Sequence, residues 1–516
     1  MLQGWRVLEG AARTAAAQFH AALRDPAAAQ RALLERIVAA NLDCEFGRAH
    51  GFAGIDSLAA FRRSVPIAGY AAFAPAIDRT ANGDAGVLTS APVVAFEETG
   101  GTTSGTKLVP YTAASLAAFS QAVLPWLCDL AVRRPAITEG RAYVSISPAL
   151  RPPRSTRGGI PIGQGSDAAY LGAGLADAFV STLAVEPAIA ASATFEDWRI
   201  ATLSQLIAAG DLAFVSIWSP TFLLELIDAI PANAEAIAAR LPPDARLRLE
   251  ASLRLPSIAT ERLWPRLACI SAWTDASSGA YAARLRHLFP QAAVEAKGLL
   301  ATECAMSVPL GGIDGAVPAL LSAVLEFVSS DGTPHLSDAL EVGQAYDVVV
   351  TTDGGLYRYD IGDRVACVGR DGPVPRLRFV GRRGVHSDLV GEKIDEGFAA
   401  AVIERLGIVA TLAAHAGSSV GGIKPHYELW LNEDIPDGSA IVTAAERLLS
   451  VNPQYAYSRS LGQLGDLVVR FKPNHVEQRA HRLMMSGRRL GDIKPVSLLN
   501  AVTGEPVSDA DRTDIA

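Results

Sequence analysis

The sequence is poor in cysteine and has no histidine pattern typical of a metal site. Its 516 residues include five scattered cysteines without a Cys-x-x-Cys pair, and nine histidines without a His-Glu-x-x-His pattern. Scattered cysteines are typical of a reducing compartment and exclude a zinc cluster built on cysteine. We therefore expect no catalytic metal other than a cation that is bound together with a nucleotide.

Long apolar runs and blocks of positive charge are also missing. No stretch reaches the roughly 18 uninterrupted apolar residues of a spanning helix, and the N-terminal segment lacks the apolar core of a signal peptide. The sequence therefore predicts a soluble, cytoplasmic protein with no membrane partner. The formal net charge is -8 and there is no Lys/Arg block, so we expect no nucleic-acid partner, although one local site can still bind a small anion.

The composition is that of a well-packed globular protein, with 49% hydrophobic and 19% charged residues. A chain of this length predicts two or more domains. Alternating helix-like and strand-like segments predict an α/β fold with mainly parallel sheets. The glycine-rich segment 379–393 is the predicted boundary, between a large domain at residues 1–383 and a small domain at residues 384–516.

Local patterns predict several individual elements. The opening 40 residues have helical spacing and place four apolar side chains on one face, those of Leu33, Leu34, Ile37 and Val38. A further helix is predicted at residues 113–132. Strands are predicted for PVVAF at 92–96, RLACIS at 266–271 and YDVVVTT at 346–352.

The most informative motif is the segment ETGGTTSGTK at residues 98–107. Its glycines allow a tight backbone path, and its amides, hydroxyls and lysine form an anion site suited to a triphosphate. The predicted ATP ligands are Thr99, Gly100, Gly101, Thr102, Thr103, Ser104, Gly105 and Lys107. The segment is not a Walker A loop, because Thr106 separates Gly105 from Lys107. A solvated turn is the alternative interpretation.

Two further motifs carry acidic residues. In GLLATEC, residues 298–304, Glu303 follows Thr302 and could hold Mg²⁺ through one carboxylate while phosphates supply other ligands. In GLYRYDIGDR, residues 355–364, Asp363 could accept hydrogen bonds from ribose hydroxyls. The alternatives are a surface glutamate for the first motif and a charged hairpin, with its turn at 353–355, for the second.

The order of these motifs resembles the acyl-adenylate-forming superfamily. Within it the chain most resembles the auxin-responsive acyl acid–amido synthetases, the Gretchen Hagen family, nearly from end to end. The resemblance is carried by NLDCEFGRAHGF, GLLATECAMSVPL, GLYRYDIGDRV, FVGRRGVHSDLVGEK and LGDIKPVSLL. It implies the acyl-adenylate-forming enzyme fold, with a large N-terminal domain of β-sheets flanked by helices and a small, mobile α+β C-terminal domain.

The resemblance also implies roles for individual residues. The loop from Gly101 to Lys107 would hold the β- and γ-phosphates. Glu303 would bind Mg²⁺ and act in catalysis with Lys107 and a mobile lysine, Lys494. Thr302 would lie near the α-phosphate and Asp363 would bind the ribose hydroxyls. Three further residues would bind the nucleotide: Tyr357, Arg358 and, as a second phosphate contact, Lys393.

The sequence departs from the family in two places. The phosphate loop is one residue shorter before Lys107, and Asp360 stands where plant members often carry a basic residue.

The implied activity is an ATP- and Mg²⁺-dependent ligation, in which a small carboxylic acid is activated as an acyl-AMP and transferred to an amino acid or other amine. An acyl-CoA or aryl-CoA ligase and a non-catalytic nucleotide-binding protein on the same fold are the alternatives. A Gly-x-Ser-x-Gly pattern at residues 417–421 leaves an esterase as a third alternative. We expect the acyl pocket near residues 218–222 and the 270s, in the large domain.

Overall fold

The structure is a computed structural model that describes residues 2–100, 106–147, 154–163, 168, 171, 173–255, 257–383, 386–417, 424–432, 438–485 and 488–500. The helices of this part are α1 (Gln3–Arg24), α2 (Pro26–Ala40), α3 (Glu45–Ala49), α4 (Leu58–Ser64), α5 (Tyr70–Ala81), α6 (Ala113–Arg133), α7 (Ala173–Val180), α8 (Phe195–Ala208), α9 (Pro220–Asp228), α10 (Ala234–Ala238), α11 (Pro243–Leu253), α12 (Thr260–Leu263), α13 (Gly279–Leu288), α14 (Glu396–Leu406), α15 (Gly438–Leu449), α16 (Pro453–Ser460) and α17 (His475–Met485).

The strands alternate with these helices along the chain. They are β1 (Ala95–Gly100), β2 (Thr106–Tyr111), β3 (Arg141–Val144), β4 (Arg154–Ser155), β5 (Pro161–Ile162), β6 (Leu212–Ser216), β7 (Cys269–Ala272), β8 (Ala293–Ala296), β9 (Ser307–Val308), β10 (Val317–Pro318), β11 (Val324–Val328), β12 (Pro334–His335), β13 (Ala345–Thr351), β14 (Tyr359–Asp371), β15 (Val374–Arg382), β16 (His386–Ser387), β17 (Ile394–Asp395), β18 (Ala410–His415), β19 (His426–Leu431), β20 (Val468–Phe471) and β21 (Leu498–Asn500).

Residue contacts divide the chain into two compact units. The first unit takes the chain up to Ser216, together with Ile230–Ser271 and Phe289–Phe379. The second unit takes the chain from Val380 onward, together with Ile217–Ala229 and Ala272–Leu288. The segments in which we expected the acyl pocket therefore fall largely in the second unit. The predicted domain boundary after residue 383 stays a prediction.

Three sheets form the framework of the first unit. One is parallel in its described pairings and has the order β3-β6-β7-β8. A mixed sheet has the order β2-β1-β5-β4, and a five-stranded sheet has the order β12-β11-β13-β14-β15. The described pairings of the five-stranded sheet are antiparallel. The α/β prediction is confirmed, but the prediction of mainly parallel sheets is wrong, because consecutive strands such as β13 and β14 pair antiparallel across a short connection.

The core of the first unit follows from the apolar patterns. The four residues on the predicted face of α2 are all buried: Leu33, Leu34, Ile37 and Val38. Gln30 on the same helix is 1% exposed, and its amide donates to the carbonyls of Leu320 and Ala323 and accepts from the Leu325 amide. These hydrogen bonds attach α2 to the start of β11, since a buried amide must find partners for both its donors and its acceptor.

Helix α6 is the described helix with the length and apolar composition of a membrane span. A capping box begins it, since the Thr112 side chain accepts from the Ser115 amide and the Ser115 hydroxyl accepts from the Thr112 amide. The helix packs against α1, and Leu124, Leu127 and Leu130 are buried in the same cluster as residues of α1. These core contacts account for its apolar composition.

The second unit has its own sheet and core. The sheet has the order β20-β19-β18-β21 and mixes parallel and antiparallel pairs. Helix α14 packs on it, capped at its start by Asp395, whose side chain accepts from the Phe398 amide at 2.7 Å. The helix ends at Gly407, which has a positive φ of 66°.

Candidate active site

Strands β1 and β2 form the hairpin that carries the predicted phosphate loop. They pair antiparallel, with Thr99 opposite Lys107 and Gly100 opposite Thr106. Strand β1 begins at Ala95 and continues through Gly100, so it shares only Ala95 and Phe96 with the strand predicted at 92–96. Five predicted ATP ligands lie outside the described residues: Gly101, Thr102, Thr103, Ser104 and Gly105. The described part of the hairpin therefore fixes the two ends of the loop.

The end of the loop at Lys107 is held by a tyrosine of α5. The Tyr70 hydroxyl accepts from the Leu108 amide at 2.9 Å and donates to the Leu108 carbonyl at 3.3 Å. The Lys107 ammonium lies 5.3 Å from the centroid of the Tyr70 ring, a cation–π distance. Tyr70 thus positions both the backbone after Lys107 and its charged group.

The predicted Mg²⁺ residue lies at the tip of a narrow loop between β8 and β9. The loop turns at Gly298, whose φ is +80° and where a Cβ would lie 2.6 Å from the Ser307 carbonyl oxygen. The Ser307 hydroxyl accepts from the Leu299 amide at 2.9 Å and closes the base of the loop. At the tip, Thr302 and Glu303 are partly buried, and the Tyr111 hydroxyl donates to the Thr302 carbonyl.

Asp363 is placed by a bulge in β14. Residues 361–363 lie between the register pairs Val349–Asp360 and Asp347–Arg364, where β13 has a single residue. Gly362 supplies a positive φ of 80° in the bulge, and its amide donates to Asp360 Oδ1 at 3.0 Å. Asp363 is fully buried. Bulges commonly redirect a side chain next to an active site.

Glu303 and Asp363 both lie near one buried thiol, that of Cys304. Burial raises the pKa of Cys304, and the nearby carboxylates of Glu303 and Asp363 raise it further. Such electrostatic effects need short distances in a protein interior. The structure therefore places the predicted metal and ribose residues near the same thiol, and the Tyr111 hydroxyl joins the loop that carries Glu303 to β2, the strand that leaves the predicted phosphate loop.

Tyr357 lies inside an aromatic cluster of the core. Its side chain is fully buried, its hydroxyl donates to the Leu88 carbonyl at 2.7 Å, and its ring stacks on Phe46 at a centroid distance of 4.5 Å. These core contacts explain the position of the Tyr357 side chain, and none of them requires a bound nucleotide. A nucleotide contact of Tyr357 stays a prediction.

Arg358 forms a buried ion pair with Glu326. Arg358 Nε donates to Glu326 Oε2 at 2.8 Å, and the two side chains are 5% and 1% exposed. Its guanidinium also donates to the carbonyls of Arg62 and Val65. The backbone of Arg358 has a φ of +48°, so a residue with a Cβ is held in a left-handed conformation by these contacts. Its predicted nucleotide contact likewise stays untested.

In the second unit, Lys494 lies against a tryptophan. Its ammonium is 4.9 Å from the centroid of the Trp273 ring. The backbone around it is held on two sides, because Arg479 Nη1 donates to the Lys494 carbonyl at 3.2 Å and the Ser277 hydroxyl donates to the Pro495 carbonyl at 2.8 Å. The predicted mobile lysine is therefore on a well-anchored segment.

Lys393 is exposed and has a φ of +49°. Its neighbour Glu392 is fully buried and accepts from the amides of Leu389 and Val390 at 2.8 Å and from the Tyr427 hydroxyl. The buried carboxylate fixes the turn that presents Lys393 to solvent. A phosphate contact of Lys393 stays a prediction.

Two family models match this chain. The GH3 family N-terminal domain matches residues 15–245, and the GH3 family central domain matches residues 322–382. Together they match more than half of the 516 residues. The chain belongs to the GH3 family.

GH3 proteins of plants are similar over most of their length. The putative indole-3-acetic acid-amido synthetase GH3.10 of Oryza sativa subsp. japonica is 26% identical over an alignment of 406 positions, gaps included, that covers 73% of this chain and 83% of the relative. The indole-3-acetic acid-amido synthetase GH3.6 of Arabidopsis thaliana is 25% identical over an alignment of 515 positions, gaps included, that covers 84% of this chain and 83% of the relative.

Solved structures show the same fold. The AtGH3.15 acyl acid amido synthetase in complex with 2,4-DB superposes with a TM-score of 0.83 at 17% identity, covering 96% of this chain and 95% of the other. A 2-hydroxyisobutyryl-CoA ligase in the postadenylation state superposes with a TM-score of 0.55 at 14% identity, covering 91% and 88%. The predicted acyl-adenylate-forming fold is confirmed.

Several residues that contact the predicted site residues escaped the sequence patterns. Tyr111, Tyr70 and Trp273 act through contacts with residues far away in the chain, and no local motif marks such a contact. The segment 418–421 of the Gly-x-Ser-x-Gly pattern lies outside the described residues. The esterase alternative therefore has no support from the described geometry.

Proposed function

We propose that this GH3 chain is an ATP-dependent ligase that activates a small carboxylic acid as an acyl-AMP and transfers the acyl group to the amine of an amino acid. The observation that carries the proposal is the hydrogen bond from the Tyr111 hydroxyl to the Thr302 carbonyl, which joins the strand after the predicted phosphate loop to the loop that carries Glu303. Glu303 and Asp363 also both lie near Cys304. The names of the plant relatives, which are amido synthetases, support the same reaction.

The residues fit a nucleotide with Mg²⁺. In the part of the chain that the structure describes, no group of three or more His, Cys, Asp or Glu side chains gathers as a metal cage. A cation at this site would therefore use one protein carboxylate, that of Glu303, and phosphate oxygens, which is the coordination Mg²⁺ commonly accepts. Bound there, it would neutralise charge on the phosphates during the transfer. Asp363, buried on its bulge, would accept from the ribose.

The remaining chemistry is assigned to side chains of this protein. A carboxylate oxygen of the acid attacks the α-phosphorus, and the bond to pyrophosphate breaks, with no proton transferred. The loop amides, Lys107 and Lys494 would stabilise the negative charge that gathers on the phosphate oxygens. Because two anions must meet, these cations also lower the repulsion between the acid and the polyphosphate.

The second step replaces phosphate by nitrogen at the acyl carbon. The amine attacks the carbonyl of the acyl-AMP, AMP leaves, and the nitrogen loses one proton to solvent. We propose that the small domain, residues 384–516, rotates between the two steps and withdraws Lys494 from the site. Such domain movements commonly open and close active sites.

We also propose a cytoplasmic location and no nucleic-acid or membrane partner, from the charge and composition.

AMP release tests the acceptor. Carboxylic acids crossed with amino acids, other amines and coenzyme A should give AMP release that depends on an acid together with an amino acid. If AMP were released with an acid and coenzyme A but not with an acid and an amino acid, the result would favour an acyl-CoA ligase. If no acid supported pyrophosphate exchange, the result would favour a non-catalytic nucleotide-binding protein.

Lys494→Ala tests the first step. Exchange of pyrophosphate into ATP should fall by about 10²–10³-fold, the usual effect of losing one transition-state charge stabiliser. Lys472→Ala is the matched control, because Lys472 also lies over a tryptophan of the second unit, 3.4 Å from the Trp430 ring centroid. Equal exchange in parent and Lys494→Ala would remove Lys494 from the mechanism.

A further inference from the structure

Lys297 is a buried lysine at the carboxyl edge of the parallel sheet. It follows β8 directly and is 8% exposed. Its ammonium lies 2.5 Å from the Ser216 hydroxyl, at the end of β6, and 5.6 Å from the centroid of the Trp126 ring on α6. Strand β7 lies between β6 and β8, and neighbouring strands are about 4.8 Å apart. The lysine side chain therefore crosses β7 to reach Ser216.

A second polar group lies on the strand that Lys297 crosses. Ser271 of β7 is the register partner of Ser216, so both side chains are on the same face of the sheet. Ser271 is fully buried, and among the described residues its hydroxyl oxygen has no hydrogen-bond partner. Buried hydroxyls almost always have a partner. One ammonium and two hydroxyls thus gather on one face, and one hydroxyl there is available to a ligand.

The position of this cluster points to the organic acid rather than to the nucleotide phosphates. In open α/β sheets, ligands bind at the carboxyl ends of the parallel strands. The predicted phosphate loop, by contrast, connects β1 and β2 of another sheet. The surroundings of Lys297 are aromatic, because Trp126 packs against Phe214 at a centroid distance of 6.1 Å. Mostly apolar walls with a few polar groups are typical of small-molecule sites.

The cluster is close in sequence to the proposed chemistry. Lys297 precedes Gly298, where the loop that carries Thr302 and Glu303 begins. An acid whose reacting carboxylate lies at the tip of this loop can extend its other end toward the base, where Lys297 and the two serines lie.

We propose that Lys297, Ser216 and Ser271 bind an oxygen-bearing substituent of the acid substrate, a second carboxylate or a hydroxyl, remote from the carboxylate that is adenylated. This inference rests on the proposed adenylation and narrows its substrate class to acids with such a substituent. An ammonium with two hydroxyls suits an oxygen acceptor, since hydrogen bonds from a charged donor are the stronger ones.

The test compares matched acids in pyrophosphate exchange: benzoate, 4-hydroxybenzoate and benzene-1,3-dicarboxylate, and hexanoate with hexanedioate. The parent should prefer at least one oxygen-bearing acid over its unsubstituted counterpart by about tenfold or more in kcat/KM. The hydroxyl and dicarboxylate arms show which substituent is preferred. Lys297→Met, similar in length and without charge, should lose about 10–100-fold for that acid and stay within about threefold for the unsubstituted one.

Two further variants complete the experiment. Ser271→Ala should lower the same preference by about threefold or more, and it removes a buried hydroxyl rather than a charge, so its folding is little affected. Lys472→Met, another lysine over a tryptophan, should leave the acid profile unchanged. Equal loss for substituted and unsubstituted acids in Lys297→Met, or no preference in the parent, would overturn the inference.

Calorimetry of acid binding separates this inference from the proposed function. If no acid supports exchange in the parent, the adenylation proposal fails. The same acids titrated into parent and Lys297→Met still report on the cluster: weaker binding of the substituted acid to the variant supports it, and equal binding refutes it.

Discussion

The Tyr111 hydroxyl donates a hydrogen bond to the backbone carbonyl of Thr302, 191 residues later in the chain. Tyr111 is the last residue of β2, and Thr302 is at the tip of the loop that carries Glu303. One hydrogen bond thus joins the strand leaving the predicted phosphate loop to the predicted metal residue. Both motifs would need this alignment for a phosphate and its cation to be bound together.

Tyr111→Phe should therefore loosen the tip of the loop. We expect the free energy of unfolding to fall by about 1 kcal/mol and pyrophosphate exchange to fall by about tenfold, because small displacements of positioned groups slow catalysis strongly. Urea unfolding and the exchange rate measure the two effects. Tyr346→Phe is the control, since the Tyr346 hydroxyl accepts from the Glu341 amide at 2.9 Å. It should lose similar stability and keep its rate; an equal rate loss in both variants would contradict the role of Tyr111.

Some predictions from the sequence agree with the structure and others do not, and the difference has physical reasons. Apolar periodicity reports which face of an element is buried, so α2, α6, β7 and β13 agree with their predictions within a few residues. The family resemblance supplied the fold. Sequence could not show that Tyr357 and Arg358 are buried, because the motif is the same whether a side chain faces a ligand or the core. The predicted hairpin is present, since β13 and β14 pair antiparallel, but a hairpin is compatible both with a purely structural role of this motif and with a ribose contact of Asp363.

The grouping of segments could not be predicted either. Residues 217–229 and 272–288 belong by contact to the second unit, although their neighbours in sequence form strands of the first. Nothing in their composition marks this, because the division depends on contacts such as the one between Ser277 and Pro495. Local patterns carry no information on such long-range partners.

Arg358→Met should destabilise the protein strongly. The change leaves Glu326, 1% exposed, as a buried charge with a weaker set of partners, and breaking a buried ion pair costs about 3–5 kcal/mol. Arg62 Nε still donates to Glu326 Oε1 at 2.7 Å, so we expect the lower end of this range in urea unfolding. Arg13→Ala, which removes an exposed ion pair with Glu9, should cause no measurable change.

The double variant Arg358→Met with Glu326→Met should recover much of that loss, since apolar side chains of similar volume can replace a buried pair. It also tests the predicted nucleotide contact. If Arg358 binds the nucleotide, the rescued protein should still have a raised KM for ATP. An unchanged KM would leave Arg358 with a role in the core alone.

Glu396 should make stability depend on pH. Burial raises the pKa of its carboxyl, while the Ser497 amide, which donates to it at 3.1 Å, lowers it in part, as do three nearby cations: Arg479, Arg382 and Lys494. A carboxyl whose pKa is higher in the folded state contributes most below its unfolded pKa, and this contribution is lost as pH rises through the folded pKa. Glu396→Gln does not ionise, so its stability relative to the parent should increase as pH rises above about 4.5.

Melting temperatures between about pH 4.5 and 7.5 measure this difference, in the window that begins at the ordinary pKa of a glutamate. Asp331→Asn is the control, because hydrogen bonds from the Ser329 hydroxyl and the Thr333 amide lower the pKa of Asp331 to about 2. Its contribution is lost only as pH falls through that value, so the difference from the parent should stay flat above pH 5. If the difference in melting temperature between Glu396→Gln and the parent did not change with pH, burial would not raise the pKa of this carboxyl.

Asp363→Asn should abolish recognition of the ribose. The parent should lose about 10–100-fold in kcat/KM when 2′-deoxy-ATP or 3′-deoxy-ATP replaces ATP, because a hydrogen bond to a charged acceptor contributes about 1.5–3 kcal/mol. The variant should lose a similar factor with ATP and lose nothing further with the deoxy nucleotide whose hydroxyl Asp363 binds. Asp347→Asn, on the neighbouring strand and 3.6 Å from Arg364, should discriminate like the parent. Asp363 is placed by a bulge that the sequence shows only as Gly362 before an acidic residue. If Asp363→Asn distinguished ATP from the deoxy nucleotides as well as the parent does, the bulge would have a role in the sheet and not in nucleotide binding.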